Sequence, residues 1–150
     1  MPKSKTSPEE ITIRIPSRLE LLSLLDTVTT ALCARMEMDE TTSSQITMSV
    51  IEAGTNAIQH AHHKDAAKPV DVLYRIYPDR MEIDVHDQGS GFTLADVNGD
   101  ITSPEHLFDA RGRGIFIMRA CMDSEEFEFT KSGTICHLVK HRPAVAAEMA

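Results

Sequence analysis

Val70-Asp71-Val72-Leu73-Tyr74-Arg75-Ile76, the turn Pro78-Asp79-Arg80 and Met81-Glu82-Ile83-Asp84-Val85 decide the fold. Apolar side chains fall at every second position on both sides of the turn, which is the period of a half-buried strand, so the stretch predicts a β-hairpin. A sheet with one apolar face needs a cover. Working back toward the N-terminus, Leu21, Leu25, Val28 and Leu32 recur at helical spacing up to about Met36, behind Ser17 and Glu20 spaced as a capping box. A second capping box, Thr42-x-x-Gln45, predicts a helix to about His63 with Ile46, Val50, Ile51, Ala57, Ile58 and Ala61 on its apolar side. Ile11, Ile13 and Ile15 alternate as a further strand. Toward the C-terminus, helical spacing returns over 112–122 through Ile115, Met118, Cys121 and Met122. Phe127 and Phe129 then alternate, Lys131-Ser132-Gly133 turns, and 134–140 makes a closing strand.

Five strands and three amphipathic helices predict an α+β two-layer sandwich, a mainly antiparallel sheet with helices on one face. Neither a repeat nor a domain boundary is visible. Residues 10–142 are expected to form the domain, with 1–9 as a disordered tail and 143–150 as a short one. Between Gly89 and Arg111 periodicity vanishes and Gly, Asp, Ser and Pro are scattered; so long a stretch is expected to be a functional lid or disordered.

The chain has 150 residues, enough for one self-sufficient core. A net charge of −8 works against direct nucleic-acid binding, because phosphate contacts require a basic surface. No apolar run approaches the roughly 20 residues that span a bilayer, so no membrane association is expected. Cys33, Cys121 and Cys136 are odd in number and sit in apolar periodic segments. They read as small buried hydrophobes of a reducing cytoplasm.

Three short motifs carry chemistry. Glu52 and Asn56 are four residues apart and share one side of their helix. Such a stripe, extended by Gln45, Ser49 and His60, is ordinarily a solvated face. Functionally it offers a hard oxygen donor suited to Mg²⁺ beside a carboxylate able to take a proton. Asp87-Gln88-Gly89-Ser90-Gly91-Phe92 ends the second strand of the hairpin. Its aspartate opens an Asx-turn in the ordinary reading, or accepts a hydrogen bond from the exocyclic amine of a base in the functional one. Gly112-Arg113-Gly114 sits just before a predicted helix, a loop end or a phosphate site at the positive pole of the helix dipole. Arg111 and Arg113 add positive charge in an otherwise acidic stretch, for phosphates or a partner. Neither a P-loop nor Gly-x-Gly-x-x-Gly is present. A calcium loop at 96–100 fails because its glycine is misplaced and no glutamate closes it. His60, His62 and His63 lack a further ligand at zinc spacing.

The order of these motifs resembles the nucleotide site of the GHKL ATPase superfamily, and within it the small anti-sigma-factor serine kinases of bacteria. The likeness runs over about residues 11–141. Its most specific stretch is Gly112-Arg113-Gly114-Ile115-Phe116-Ile117-Met118-Arg119-Ala120-Cys121-Met122-Asp123. The resemblance implies ATP and Mg²⁺ as cofactors, with Asn56 on the metal, Glu52 as catalytic base and Asp87 on the adenine amino group. It also implies ATP contacts from Gly89, Gly91, Arg111, Gly112, Arg113 and Gly114. His60 matches a frequent histidine of the family pattern, with its role open. Where the family lid offers a lysine to the γ-phosphate, this stretch is acidic and proline-interrupted (Asp96, Asp100, Pro104, Glu105, Asp109).

Two classes of function follow. A serine/threonine protein kinase would phosphorylate a STAS-type antagonist and sequester a sigma factor, as a homodimer by family likeness. A nucleotide-gated module would bind partners without transfer. Glu52 separates them, because only transfer needs a base. A partner-switching kinase acting outside transcription is a third possibility that the residues do not separate from the first.

Overall fold

The computed structural model describes residues 7–89 and 110–143. Among them the strands β1 (Glu9–Ile15), β2 (Val70–Ile76), β3 (Arg80–Asp87), β4 (Ser124–Thr130) and β5 (Gly133–His141) form one sheet in the order β1-β2-β3-β5-β4. Every neighbouring pair is antiparallel. The helices are α1 (Leu22–Arg35), entered through a short 3-10 turn, α2 (Glu40–Thr55), continued by a π-helical turn over Asn56–Ala61, and α3 (Ala110–Cys121).

Period-two alternation becomes burial through register. Val72 pairs with Val85 and Tyr74 with Ile83, while Ile83 and Val85 pair in turn with Leu138 and Cys136. One apolar side of the sheet therefore faces Leu25, Leu32, Ile46, Val50, Ile58, Ile115 and Met118, all in the same buried cluster. Each such side chain contributes about 1.5–3 kcal/mol by leaving water. Truncating a fully buried one, Leu138 or Ile83, to alanine would cost roughly 2–5 kcal/mol. A polar pin crosses the layers: the Tyr74 hydroxyl lies 2.7 Å from Thr29 Oγ1, both fully buried. Burial pushes the Tyr74 pKa up to about 12. Cys33 and Cys136 are buried thiols, as expected, and Cys121 is half-buried.

The opposite face of the sheet is charged. Arg75 Nη1 reaches Asp84 at 2.8 Å, and His137 bridges Asp84 (2.6 Å) and Glu128 (2.9 Å). Against this backdrop Gly133 has a tight role: with φ at 152°, a Cβ there would stand 1.7 Å from the Asp87 carbonyl oxygen. Only glycine lets β5 start flush against the end of β3.

Three local expectations are corrected. Asp39, not Thr42, caps α2: its Oδ1 accepts the Thr42 N–H at 2.6 Å, and the helix starts at Glu40. A carboxylate suits the positive helix end better than a hydroxyl does. Ser17 caps nothing; it is 1% exposed and its hydroxyl is drawn into a buried contact 45 residues away. The glycine box Gly112–Gly114 lies inside α3, which begins at Ala110. Glycine costs about 1 kcal/mol in a helix interior, so local preference stops the helix there, and packing overrides it.

Candidate functional site

Glu52 stands on the last regular turn of α2 and Asn56 at its junction with the π-helical turn. The junction is loosened by back-bonding. Thr55 Oγ1 donates to the Ile51 carbonyl at 2.7 Å, and the Asn56 amide is shared between the Ala53 and Glu52 carbonyls. Beyond it, the His62 amide donates to Ala57, five residues back, at 2.9 Å. Such widened turns recur at functional sites, because they re-aim the residues that follow.

α3 packs here through a glycine. A Cβ on Gly114 would stand 2.8 Å from Glu52 Oε2 and 3.6 Å from both Oδ1 and Nδ2 of Asn56. The acid and the amide of one helix thus flank the bare backbone of the next. Burial pushes the Glu52 carboxyl above its ordinary range, and the nearby Arg113 charge pulls it back in part. By their place in the helix, the first amides of α3, over 110–113, have no intrahelical acceptor, the feature by which helix N-termini receive anions. Gly112 lies on that turn. Gly91, the Arg111 side chain and residues 90–109 of the stretch expected as a lid lie outside the described residues, and the 96–100 loop with them.

Asp87 closes β3, and the structure shows the turn reading of it. Its Oδ1 accepts the Gly89 N–H at 2.8 Å, which is the Asx-turn. Gly89 in turn rests on the end of the π-turn, where a Cβ would meet Ala61 Cβ at 2.8 Å. Opposite Asp87 in register is Thr134, 3% exposed, whose Oγ1 is buried without a hydrogen-bond partner among the described residues. A buried orphan hydroxyl costs stability unless something satisfies it. The sequence quoted Thr134 only as the start of a closing strand; periodicity cannot distinguish it from other strand threonines, since the orphan arises from register. His60, on the π-helical turn, is half-buried. The three histidines do not converge on a metal: His62 is buried and bonded, while His63 is exposed with φ at 49°.

An antiparallel sheet backed by helices, with an acid and an amide set against a glycine of the next helix, is the architecture of a GHKL-type ATPase domain. The model of the histidine kinase-like ATPase domain matches residues 15–140, and the chain belongs to that family. Serine-protein kinase RsbW of Bacillus licheniformis is 28% identical over 136 residues, covering 87% of this chain and 85% of the relative. RsbW of Bacillus subtilis strain 168 is 25% identical over 142 residues, covering 91% and 88%. In fold, the chain is similar to the crystal structure of the RsbU and RsbW domains of Rv1364c from Mycobacterium tuberculosis. There the TM-score is 0.65 at 15% identity, over 91% of this chain and 34% of that longer one. The catalytic domain of histidine kinase ThkA gives a TM-score of 0.55 at 14% identity, over 88% and 98%. The resemblance to the superfamily, and within it to the bacterial serine kinases, therefore holds. Among the described residues no helix is long and apolar enough to cross a membrane.

Proposed function

We propose that this chain is an ATP-dependent serine/threonine protein kinase that phosphorylates a STAS-type antagonist and sequesters a sigma factor when that antagonist is phosphorylated. The observation that carries the reading is the Glu52 carboxylate, held 2.8 Å from the Cβ position of Gly114 with its proton affinity raised by burial. A base for a hydroxyl acceptor works best with a pKa lifted toward the operating pH.

The residues fit ATP on two counts. Thr134 Oγ1 is a buried group in want of a partner, paired in register with Asp87. Asp87 and Thr134 together would read the base, because a wrong base leaves buried polar groups unpaired. The glycine backbone at 112–114 and the first-turn amides of α3, which have no intrahelical acceptor, would supply room and donors for phosphates. A magnesium ion, when bound, would be held by the Asn56 carbonyl oxygen and would neutralise phosphate charge.

An acceptor protein can approach. A groove between α1 and α2, lined by Asp26, Ser44, Met48 and Ile51, ends at Glu52. As the partner's hydroxyl oxygen takes the γ-phosphoryl group and ADP leaves, its proton passes to Glu52. Positioning and charge neutralisation supply most of such a reaction. Family likeness adds a homodimer and the cytoplasm to the proposal.

The test incubates the protein with Mg-ATP and candidate STAS proteins and measures intact masses. A gain of one phosphate on the antagonist is expected. Binding of antagonist and nucleotide with no mass change would instead make the chain a nucleotide-gated binding module.

A further inference from the structure

His62 lies just past the π-turn, 1% exposed. Its Nε2 is 2.7 Å from the Gln88 amide nitrogen, and a backbone N–H can only donate, so Nε2 carries no proton. Its Nδ1 is 2.8 Å from Ser17 Oγ, which is itself 2.6 Å from the Lys68 carbonyl oxygen. That oxygen can only accept, so the Ser17 proton points to Lys68 and Oγ accepts from Nδ1–H. The two fixed ends settle every proton along the chain. Gln88 donates to His62, His62 to Ser17, and Ser17 to Lys68.

The chain ends in the turn assigned to the base. Gln88 stands between Asp87, whose Oδ1 holds the Gly89 amide, and Gly89, which rests on Ala61. Holding the Gln88 amide therefore fixes the direction of the Asp87 carboxylate. An imidazolium would turn a second N–H toward Gln88 and break that hold.

We propose that His62 is a positioning residue for the Asp87–Gly89 turn, and that its neutral Nδ1–H form is the one that admits the nucleotide base. The proposal rests on the assignment of that turn to adenine. Burial and three neighbouring residues bear on the protonation of the ring. Burial disfavours the imidazolium most, and Asp87 at the end of β3 favours it; in the connection to β2 the Lys68 charge opposes it, while the Lys68 backbone and Asp65 favour it. The net effect lowers the pKa, so the clamp is intact at neutral pH and opens only once pH has fallen beneath the ordinary histidine range.

Three measurements on the full chain decide it. Nitrogen-15 NMR of the wild-type imidazole at pH 7.5 should show Nδ1 protonated and Nε2 bare, the opposite of the tautomer that a solvent-exposed histidine side chain favours. The reverse assignment, or an imidazolium, overturns the proposal. Calorimetry with Mg-ADP between pH 7.5 and 5 then compares wild type with His62→Gln, in which the ligand's own titration is common to both. Wild type should bind several-fold better at pH 7.5 and lose that advantage by pH 5; parallel pH profiles overturn the proposal. Ser17→Ala removes the acceptor of Nδ1–H, and should speed exchange of the Gln88 amide and weaken Mg-ADP about tenfold, the scale of one unpaired buried donor. Unchanged exchange and affinity in that variant overturn the proposal even if His62→Gln fails to fold. Failure of wild type to bind Mg-ADP at pH 7.5 would overturn the adenine assignment and the affinity control with it. The imidazole spectrum and the Gln88 amide would still decide whether the clamp exists.

Discussion

The α-carbon of Gly114 faces the carboxylate of Glu52 so closely that a methyl group there would stand 2.8 Å from Oε2. No glycine-specific φ is involved, since Gly114 lies within the regular helix α3. Space is what requires the glycine. The atom that would be struck is the far end of a flexible side chain, so the backbone need not move.

Gly114→Ala is therefore expected to fold nearly as well as wild type, with a change within about 1 kcal/mol, because alanine also favours the helix. The displaced Glu52 should lower phosphoryl transfer by at least about tenfold, the scale of a misplaced catalytic group. Thermal melts and antagonist phosphorylation measured on the same preparation separate the two effects. Equal losses of stability and activity would mean that the glycine matters for packing alone.

Glu52→Gln keeps shape and a hydrogen-bonding oxygen but cannot take a proton. Transfer should fall on the order of 10²–10⁴-fold while Mg-ATP affinity stays nearly the same. The variant should also be the more stable protein at neutral pH. Burial raises the Glu52 pKa in the folded state, and Arg113 only partly offsets this. A raised carboxyl favours folding at low pH, below its unfolded value, and that contribution is lost as pH rises through the folded pKa. At pH 7.5 glutamine removes a half-desolvated charge, so the melting temperature should rise by up to a few degrees. A lower melting temperature would show that the carboxylate is satisfied in the folded protein.

Asp87 and Thr134 are paired in register, one offering carboxylate oxygens and the other an orphan hydroxyl. Thr134→Val removes that hydroxyl at nearly constant volume, so the unliganded protein should be unchanged or slightly stabilised. Mg-ATP affinity should drop about tenfold, the cost of one lost buried hydrogen bond. Asp87→Asn should erode the preference for ATP over GTP. Calorimetry with both nucleotides on both variants checks the pair, and unaltered affinities would remove them from the base site.

His137 predicts a pH effect on the opposite face of the sheet. Burial works against its charge, yet hydrogen bonds to Glu128 and Asp84 outweigh it and its pKa is raised. A raised histidine stabilises fully below the unfolded value of about 6.5, and the gain disappears as pH rises through the folded pKa. Because the network is partly solvated, the effect should stay below about 1 kcal/mol. Denaturant midpoints between pH 6 and 8 should fall in wild type and stay flat in His137→Gln.

The sequence by itself determined what depends on near neighbours. Alternation at 70–76 and 81–85 decided which side chains face inward, since the pleat sends successive residues to opposite sides. Four-residue spacing decided that Glu52 and Asn56 would share one side of α2, and the structure sets both against Gly114. The tertiary structure alone decided what depends on partners distant in the chain. Ser17 is spaced to cap a helix, but a buried ring 45 residues away holds its hydroxyl more firmly than a solvated helix end would. Thr134 looks like any strand threonine until the β3–β5 register encloses its oxygen with no hydrogen-bond partner among the described residues. Gly112 and Gly114 mark a helix boundary by propensity, yet α3 runs through them, and at Gly114 contact with α2 offsets a local cost of about 1 kcal/mol. Periodicity is written along the chain, whereas satisfaction of a buried polar atom exists only once two distant segments have met.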